Sequence, residues 1–209
     1  AVVEWLHFRG GGGSMEATAA AMNGAAGSGH LKIVEWLHVH RSEGCTEWAM
    51  AKAAGEGHLD VVEFLHHNRD EGCGTSGMDF AAANNHIEVV EWLHRNRNEG
   101  CTTSAMDVAA RYGFLGMVQW LHDNRSEGCT TNAMDFAARY GHLHVVEWLH
   151  CNRSEGCQLE RAVGLALKYG HPLTAKWLQK VYSSARLLHQ EEENGSNSDI
   201  SASGEAPAS

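Results

Sequence analysis

The chain has 209 residues, 43% of them hydrophobic and 20% charged, the balance of an ordinary folded protein and not of a disordered or fibrous one. Its formal net charge of −10 excludes a global electrostatic pull toward nucleic acid or an anionic membrane. No apolar run approaches the roughly 20 residues that would span a bilayer.

In chain order, residues 1–8 come first, with Val2, Val3, Trp5 and Leu6 on one stripe; they predict the lone second helix of a truncated repeat. An uncovered apolar end is a liability in a stack of repeats. The natural protein is therefore expected to continue upstream, and the chain, which starts at Ala1 without Met, to be a fragment or processed form. Residues 9–14 are a Gly-rich insertion with the character of a flexible linker.

Residues 15–182 then carry six units in one register. Cys45, Cys73, Cys101, Cys129 and Cys157 are each 28 residues apart, and the same step links Met22, Met50, Met78, Met106 and Met134. It also links Arg41 to Arg153 and, through Phe64, Trp36 to Trp148; Trp148 to Trp177 is 29. A fixed period in so many residue types identifies a repeat array.

Each unit reads as two short helices. Ser76, Ser104 and Asn132 predict N-caps of the first, with Asp79, Asp107 and Asp135 three residues later reaching back as in a capping box. An Ala pair such as Ala109 and Ala110 permits close helix approach, and Gly57, Gly113, Gly141 or Gly170 ends the helix at positive φ. Asn85 takes that place in one unit, and Asn is the usual second choice there. The second helix, clearest at 142–150, is amphipathic through Leu143, Val146 and Leu149. A polar connection such as 124–130 is long enough only for a turn, so each hairpin must stack on its neighbours. Trp177, Leu178, Val181, Ala185 and Leu188 predict that the capping helix extends over 183–190, and 191–209 reads as an acidic disordered tail. The last 20 residues hold Glu191, Glu192, Glu193, Asp199 and Glu205 and no Lys or Arg, leaving the array about half the net charge.

The ladders read as structure before chemistry. Stacked hairpins repeat at about 10 Å, too far for a disulfide between equivalent cysteines. The cysteines are therefore expected to be reduced, buried packing residues, and the chain intracellular and cytoplasmic, with a nuclear location equally compatible. His38, His66, His94, His122 and His150 end second helices, where a ring can meet free carbonyls. His30, His58, His86 and His142 start them, and Phe114 in that column speaks against a metal site. No zinc spacing, phosphate loop or catalytic set is readable, so no metal, no cofactor and no enzymatic activity are expected. The tryptophans are expected to pack between units, and the repeated Arg and Glu of the connections to form a solvated edge.

These residues resemble the ankyrin repeat. Its TPLHxAAxxGHxxVVxxLL pattern is matched by NAMDFAARYGHLHVVEWLH at 132–150, and the likeness covers roughly 15–180. The Trp-Leu-His and Glu-Gly-Cys variant looks like the large ankyrin families of oomycetes. The ordinary repeat has 33 residues, and the five missing here come from the β-hairpin finger. The expected fold is thus an all-α solenoid of helix-turn-helix units without fingers. Asp stands where the family has the His of TPLH, so the hydrogen-bond network of that His is not carried over.

The resemblance implies a non-enzymatic scaffold or adaptor that binds a partner protein through its concave face; a regulatory or substrate-recruiting segment of a larger multidomain protein is the alternative. The variable pair before the turn Gly lies on that face in the family. Here it reads Arg111-Tyr112, Arg139-Tyr140 and Lys168-Tyr169 in the last three units, a basic column beside a tyrosine column. Either these residues contact an acidic or phosphorylated segment of a partner, or the cations only complement helix C-termini. Trp48, which takes an N-cap slot by register, is a further contact candidate. Neither nucleic acid nor membrane is expected as a partner.

Overall fold

A computed structural model describes residues 19–183. The expectations for 1–8, 9–14 and 191–209, and for all of 183–190 but its first residue, lie outside the described residues. Within them the secondary structure is helical, with no strand. The elements are α1 (Ala19–Gly27), α2 (Leu31–His40), α3 (Glu47–Gly55), α4 (Leu59–Asn68), α5 (Ser76–Ala83), α6 (Ile87–Asn96), α7 (Thr103–Arg111), α8 (Leu115–Asn124), α9 (Thr131–Arg139), α10 (Leu143–Asn152) and α11 (Leu159–Lys168). A final helix, α12, runs over 172–183. Successive pairs form six hairpins, and the short connections between hairpins carry no β-finger, as the shortened period implies.

Side-chain size sets the shape of the stack. The Ala pairs of the first helices, Ala53–Ala54, Ala81–Ala82, Ala109–Ala110 and Ala137–Ala138, are fully buried, and α1, α3, α5, α7, α9 and α11 pack directly on one another. The second helices, which put Trp or Phe into the same interfaces, lie less closely packed. Alanine allows short interaxial distances, and aromatic rings hold helices apart. Between the two rows a continuous core forms; one unit supplies Met106, Met117, Val118 and Leu121 to it, each almost wholly excluded from water. Burial of a side chain of this kind contributes about 1.5–3 kcal/mol.

The first-helix caps sit earlier than the sequence suggests, by one residue at Ser76, where Thr75 precedes α5, and by two at Ser104 and Asn132. Thr102 and Thr130 are the N-caps, with extended backbone, and their hydroxyls accept the N–H of Ser104 and Asn132 at 3.1 Å. Ser104 and Asn132 already lie inside the helix, and Ser76 opens α5. Trp48 is likewise the second residue of α3, capped by Thr46.

The aspartates do not close a capping box either. Asp79 accepts the N–H and the hydroxyl of Thr102 in the next unit, both at 2.8 Å. Asp107 does the same with Thr130 at 2.8 and 2.6 Å. Each Thr hydroxyl thus caps its own helix and donates to the preceding unit, so an inter-unit network does exist at the position where the family has His. Asn23 holds Thr46 at the corresponding joint with one bond reversed: its Oδ1 accepts the Thr46 N–H at 3.0 Å, and its amide N–H is donated to the Thr46 hydroxyl oxygen at 2.8 Å. At the joint that follows it both partners are lost together, as Ala51 and Gly74.

The last such joint is incomplete. Gln158 replaces Thr and gives Asp135 only its N–H, at 3.2 Å. Asp135 Oδ2 is buried without a hydrogen bond; the Arg161 guanidinium, 3.5 Å away, is in ion-pair range but does not supply one. Burial accordingly pushes the Asp135 carboxyl up. Gln158→Thr, which restores both the bond and a helix cap, is expected to stabilise the chain by about 1–2 kcal/mol. Urea denaturation checks this, and an unchanged or lowered midpoint would refute it.

Candidate functional site

The candidate surface begins where the first helices end. Arg111, Arg139 and Lys168 are the last residues of α7, α9 and α11, and Tyr112, Tyr140 and Tyr169 are the C-caps that follow. Each cation therefore sits in the last turn of its own helix, where the helix dipole favours a positive charge. The tyrosines remain 50%, 36% and 43% exposed.

The six residues interleave across units and do not form two separate columns. The Arg111 guanidinium lies over its own Tyr112 and the next unit's Tyr140, both at 5.4 Å from the ring centroid. Arg139 lies over Tyr140 at 5.4 Å and Tyr169 at 4.5 Å. Lys168 Nζ stands 5.6 Å from the Tyr169 ring. One terminal N–H of each Arg is donated to the next tyrosine hydroxyl, Arg111 to Tyr140 at 3.1 Å and Arg139 to Tyr169 at 2.8 Å. Stacking and a fixed hydrogen bond hold the planar fork in one orientation, so little side-chain entropy remains to be lost on meeting a carboxylate or phosphate. The Nε–H groups of Arg111 and Arg139 are buried with no hydrogen-bond partner.

Two residues absent from the sequence reading pack on the candidate residues, one at the ladder and one at Trp48. Phe136 lies under Arg111, 5.8 Å from ring centroid to guanidinium carbon. Phe80, in the same register one 56-residue step earlier, stacks on Trp48 at 6.0 Å. That shared register was the available signal. Trp48 (46% exposed) and Phe80 thus form a separate aromatic patch toward the first units, and no cation of the ladder contacts them among the described residues. Between the two patches, Asn84 is occupied in bonding the Gly55 carbonyl at 2.7 Å.

Two ankyrin-repeat models match the sequence, one describing three copies at residues 78–163 and the other many copies at 48–94. Together they span more than half of the chain. The chain belongs to the ankyrin-repeat family. Among solved structures it is similar to the ankyrin-repeat domain of human ASB11, with a TM-score of 0.59 at 15% identity, over 76% of this chain and 82% of that one. That likeness shows the fold. The search of the curated proteins returned no match.

The second helices of this ankyrin array carry the other inter-unit joint. The histidine that closes each Trp-Leu-His or Phe-Leu-His triplet meets the aromatic ring of the following unit edge to face: His66 on Trp92 at 5.1 Å, His94 on Trp120 at 5.4 Å, His122 on Trp148 at 5.1 Å. The same rings contact Arg97, Arg125 and Arg153 of the following unit at 3.2–3.3 Å through Nδ1. They do not cap carbonyls. Asn68, Asn96, Asn124 and Asn152, two residues further on and so on the other side of the helix, do that at 2.7–2.8 Å.

The Arg and Glu of the connections are not a solvated edge. Arg69, Arg97, Arg125 and Arg153 each pair with the Glu two residues on and are only about a quarter exposed. They lie against Gly44, Gly72, Gly100 and Gly128 of the preceding unit. Hydrogen bonding to Arg125 holds the Glu127 carboxyl at about 2, and Glu71, Glu99 and Glu155 are lowered by the same cause. Cys73, Cys101 and Cys129 are free and buried behind these pairs, where desolvation pushes the thiols up to about 11, 12 and 11. They are packing groups, not nucleophiles.

These shifts set a pH window. Desolvation lowers His66 and His142 below the ordinary 6.5, so the native state binds fewer protons than the unfolded chain and stability falls as pH drops below that value. The lowered glutamates act in the same direction from about 4.5 downward; Asp135, raised, opposes them. The raised thiols act on the other side, where their contribution is lost as pH climbs above 9.0. Urea midpoints are therefore expected to be highest between about pH 6.5 and 9, and a protein more stable at pH 5 than at pH 7 would contradict this assignment.

Among the described residues no cluster of three or more His, Cys, Asp or Glu could hold a metal ion, and no helix is long and apolar enough to cross a membrane.

Proposed function

We propose that this ankyrin array is a docking scaffold and that its partner protein presents an acidic or phosphorylated segment to Arg111, Arg139 and Lys168, with Tyr112, Tyr140 and Tyr169 supplying contact area. Ankyrin repeats serve generally as protein-interaction modules, which supports the broader part of the reading. The interleaved ladder supports the finer part: two oriented guanidinium forks and an ammonium stand in a row on half-exposed rings, in a chain of net charge −10. A solely structural helix-end role needs the charge but not exposed stacked aromatics on both sides of it. The row stands at the ends of the first helices, which pack more closely on one another than the second helices do, and this supports a concave-face interface of the kind the family implies. Free, buried thiols suit an intracellular, reducing setting. Trp48 and Phe80 extend the surface for a longer ligand.

The test is capture of a partner from native lysate by the wild-type chain and by Arg111→Glu/Arg139→Glu/Lys168→Glu, with circular dichroism as the folding control. The triple reversal is expected to abolish capture while the array stays helical, at a stability cost of about 1–2 kcal/mol for the lost Arg–Tyr bonds. Undiminished capture would place the interface elsewhere.

A further inference from the structure

Resting on that docking reading, we infer that the first occupant of the ladder is the chain's own acidic segment, residues 191–205, which binds in cis and competes with the partner. The charge distribution carries this. The segment holds Glu191, Glu192, Glu193, Asp199 and Glu205 and no Lys or Arg, and the last two units hold the ladder's cations Arg139 and Lys168 beside Arg111. The anions and the cation row therefore belong to the same end of the chain.

The distances permit it. α12 starts beside the ladder, immediately after Tyr169 and Gly170, and its 12 described residues lead about 18 Å away from it. With the helix continued to Gln190, as the sequence predicts, its end lies about 28 Å from the ladder, and the nine residues on to Asp199 reach up to about 30–32 Å. That is enough to bring Asp199 back to Lys168 and Arg139. The six steps from Asp199 to Glu205 then match the roughly 20 Å that separate Lys168 from Arg111 at about 10 Å per unit. Tethering makes such an encounter intramolecular, so even a weak contact is populated.

The ladder offers a site-specific reporter. The buried Nε–H groups of Arg111 and Arg139 are protected from exchange, and their side-chain NMR signals respond to an anion on the same guanidinium. The experiment compares the full chain with a variant in which Glu191, Glu192, Glu193 and Glu205 become Gln and Asp199 becomes Asn, using an octaglutamate peptide as the probe. Neutralisation is expected to move both Arg signals at any protein concentration and to tighten octaglutamate binding by about fivefold, as removal of a competitor that holds most of the site requires. Unmoved signals and unchanged affinity would overturn the inference, while loss of octaglutamate binding in Arg111→Glu/Arg139→Glu/Lys168→Glu would leave the docking reading intact. Signals that move only at high concentration would assign the occupant to a second copy and also overturn it. If the neutralised chain does not bind octaglutamate at all, or binds it regardless of the triple reversal, the docking reading fails and this inference with it.

Discussion

Asp107→Ala is expected to lower the unfolding free energy by about 3 kcal/mol, because a carboxylate that accepts two bonds across an inter-unit joint contributes more than a neutral group. The loss strands the N–H and the hydroxyl of Thr130, which Asp107 now holds at 2.8 and 2.6 Å. The decisive measurement is the cycle with Thr130→Gly. If the joint is a unit, the double variant is less destabilised than the two single changes summed, since deleting both partners removes the orphaned donors together. The chain already contains this double variant, as Ala51 facing Gly74. Strict additivity would show that the bonds at this joint carry no coupling energy. Circular dichroism in urea at neutral pH suffices, and the array must remain helical for the comparison to hold.

Gly113→Ala is expected to be of similar severity, about 3 kcal/mol, for two separable reasons. Gly113 sits at φ +78°, where a Cβ costs about 1–2 kcal/mol. A Cβ there would also fall 2.5 Å from the His142 ring of the next unit, and relief of such overpacking costs about 1–3 kcal/mol. Gly29, Gly57 and Gly141 are overlain by His58, His86 and His171 in the same way. The array separates the two contributions by itself. Among the described residues Asn85, at φ +62°, is the one non-glycine residue of positive φ, and the unit after it is the one in which Phe114 replaces the starting His. Gly113→Asn should therefore be poorly tolerated opposite His142 and better tolerated with His142→Phe, as read by thermal unfolding. If His142→Phe gives no relief, ring contact does not contribute to the requirement for glycine.

Much of this architecture is legible in a single sequence. The 28-residue ladders, the Ala pairs, the amphipathic second helices and the Asn in a glycine column all report local requirements that recur in every unit, and the helices fall where those patterns place them. The caps and the aspartates were misread because a Thr two residues earlier and a Ser or Asn at the expected site are both good N-caps. An Asp three residues after such a cap also suits its own helix N-terminus as well as it suits a neighbour. The two paired exceptions, Ala51 with Gly74 and Asn85 with Phe114, were the available signals, since each breaks two ladders at once.

For the candidate surface, the sequence named all six ladder residues and placed them at helix ends, but it could not show that each Arg reaches past its own Tyr to the next one. It also missed Phe136 and Phe80, which look like ordinary apolar helix positions until the turn of the helix is known. What the sequence by itself determined is everything that repeats along the chain: the period, the hairpin and the positive-φ turns. Those are set by backbone geometry and hydrophobic periodicity within one unit. Only the tertiary structure decided which side chain meets which across an interface: Asp with the next Thr, His with the next Trp and Arg, Arg with the next Tyr. Those choices depend on the offset and rotation of one hairpin against the next, which the small alanines in the row of first helices and the large tryptophans in the row of second helices set together and no single unit contains.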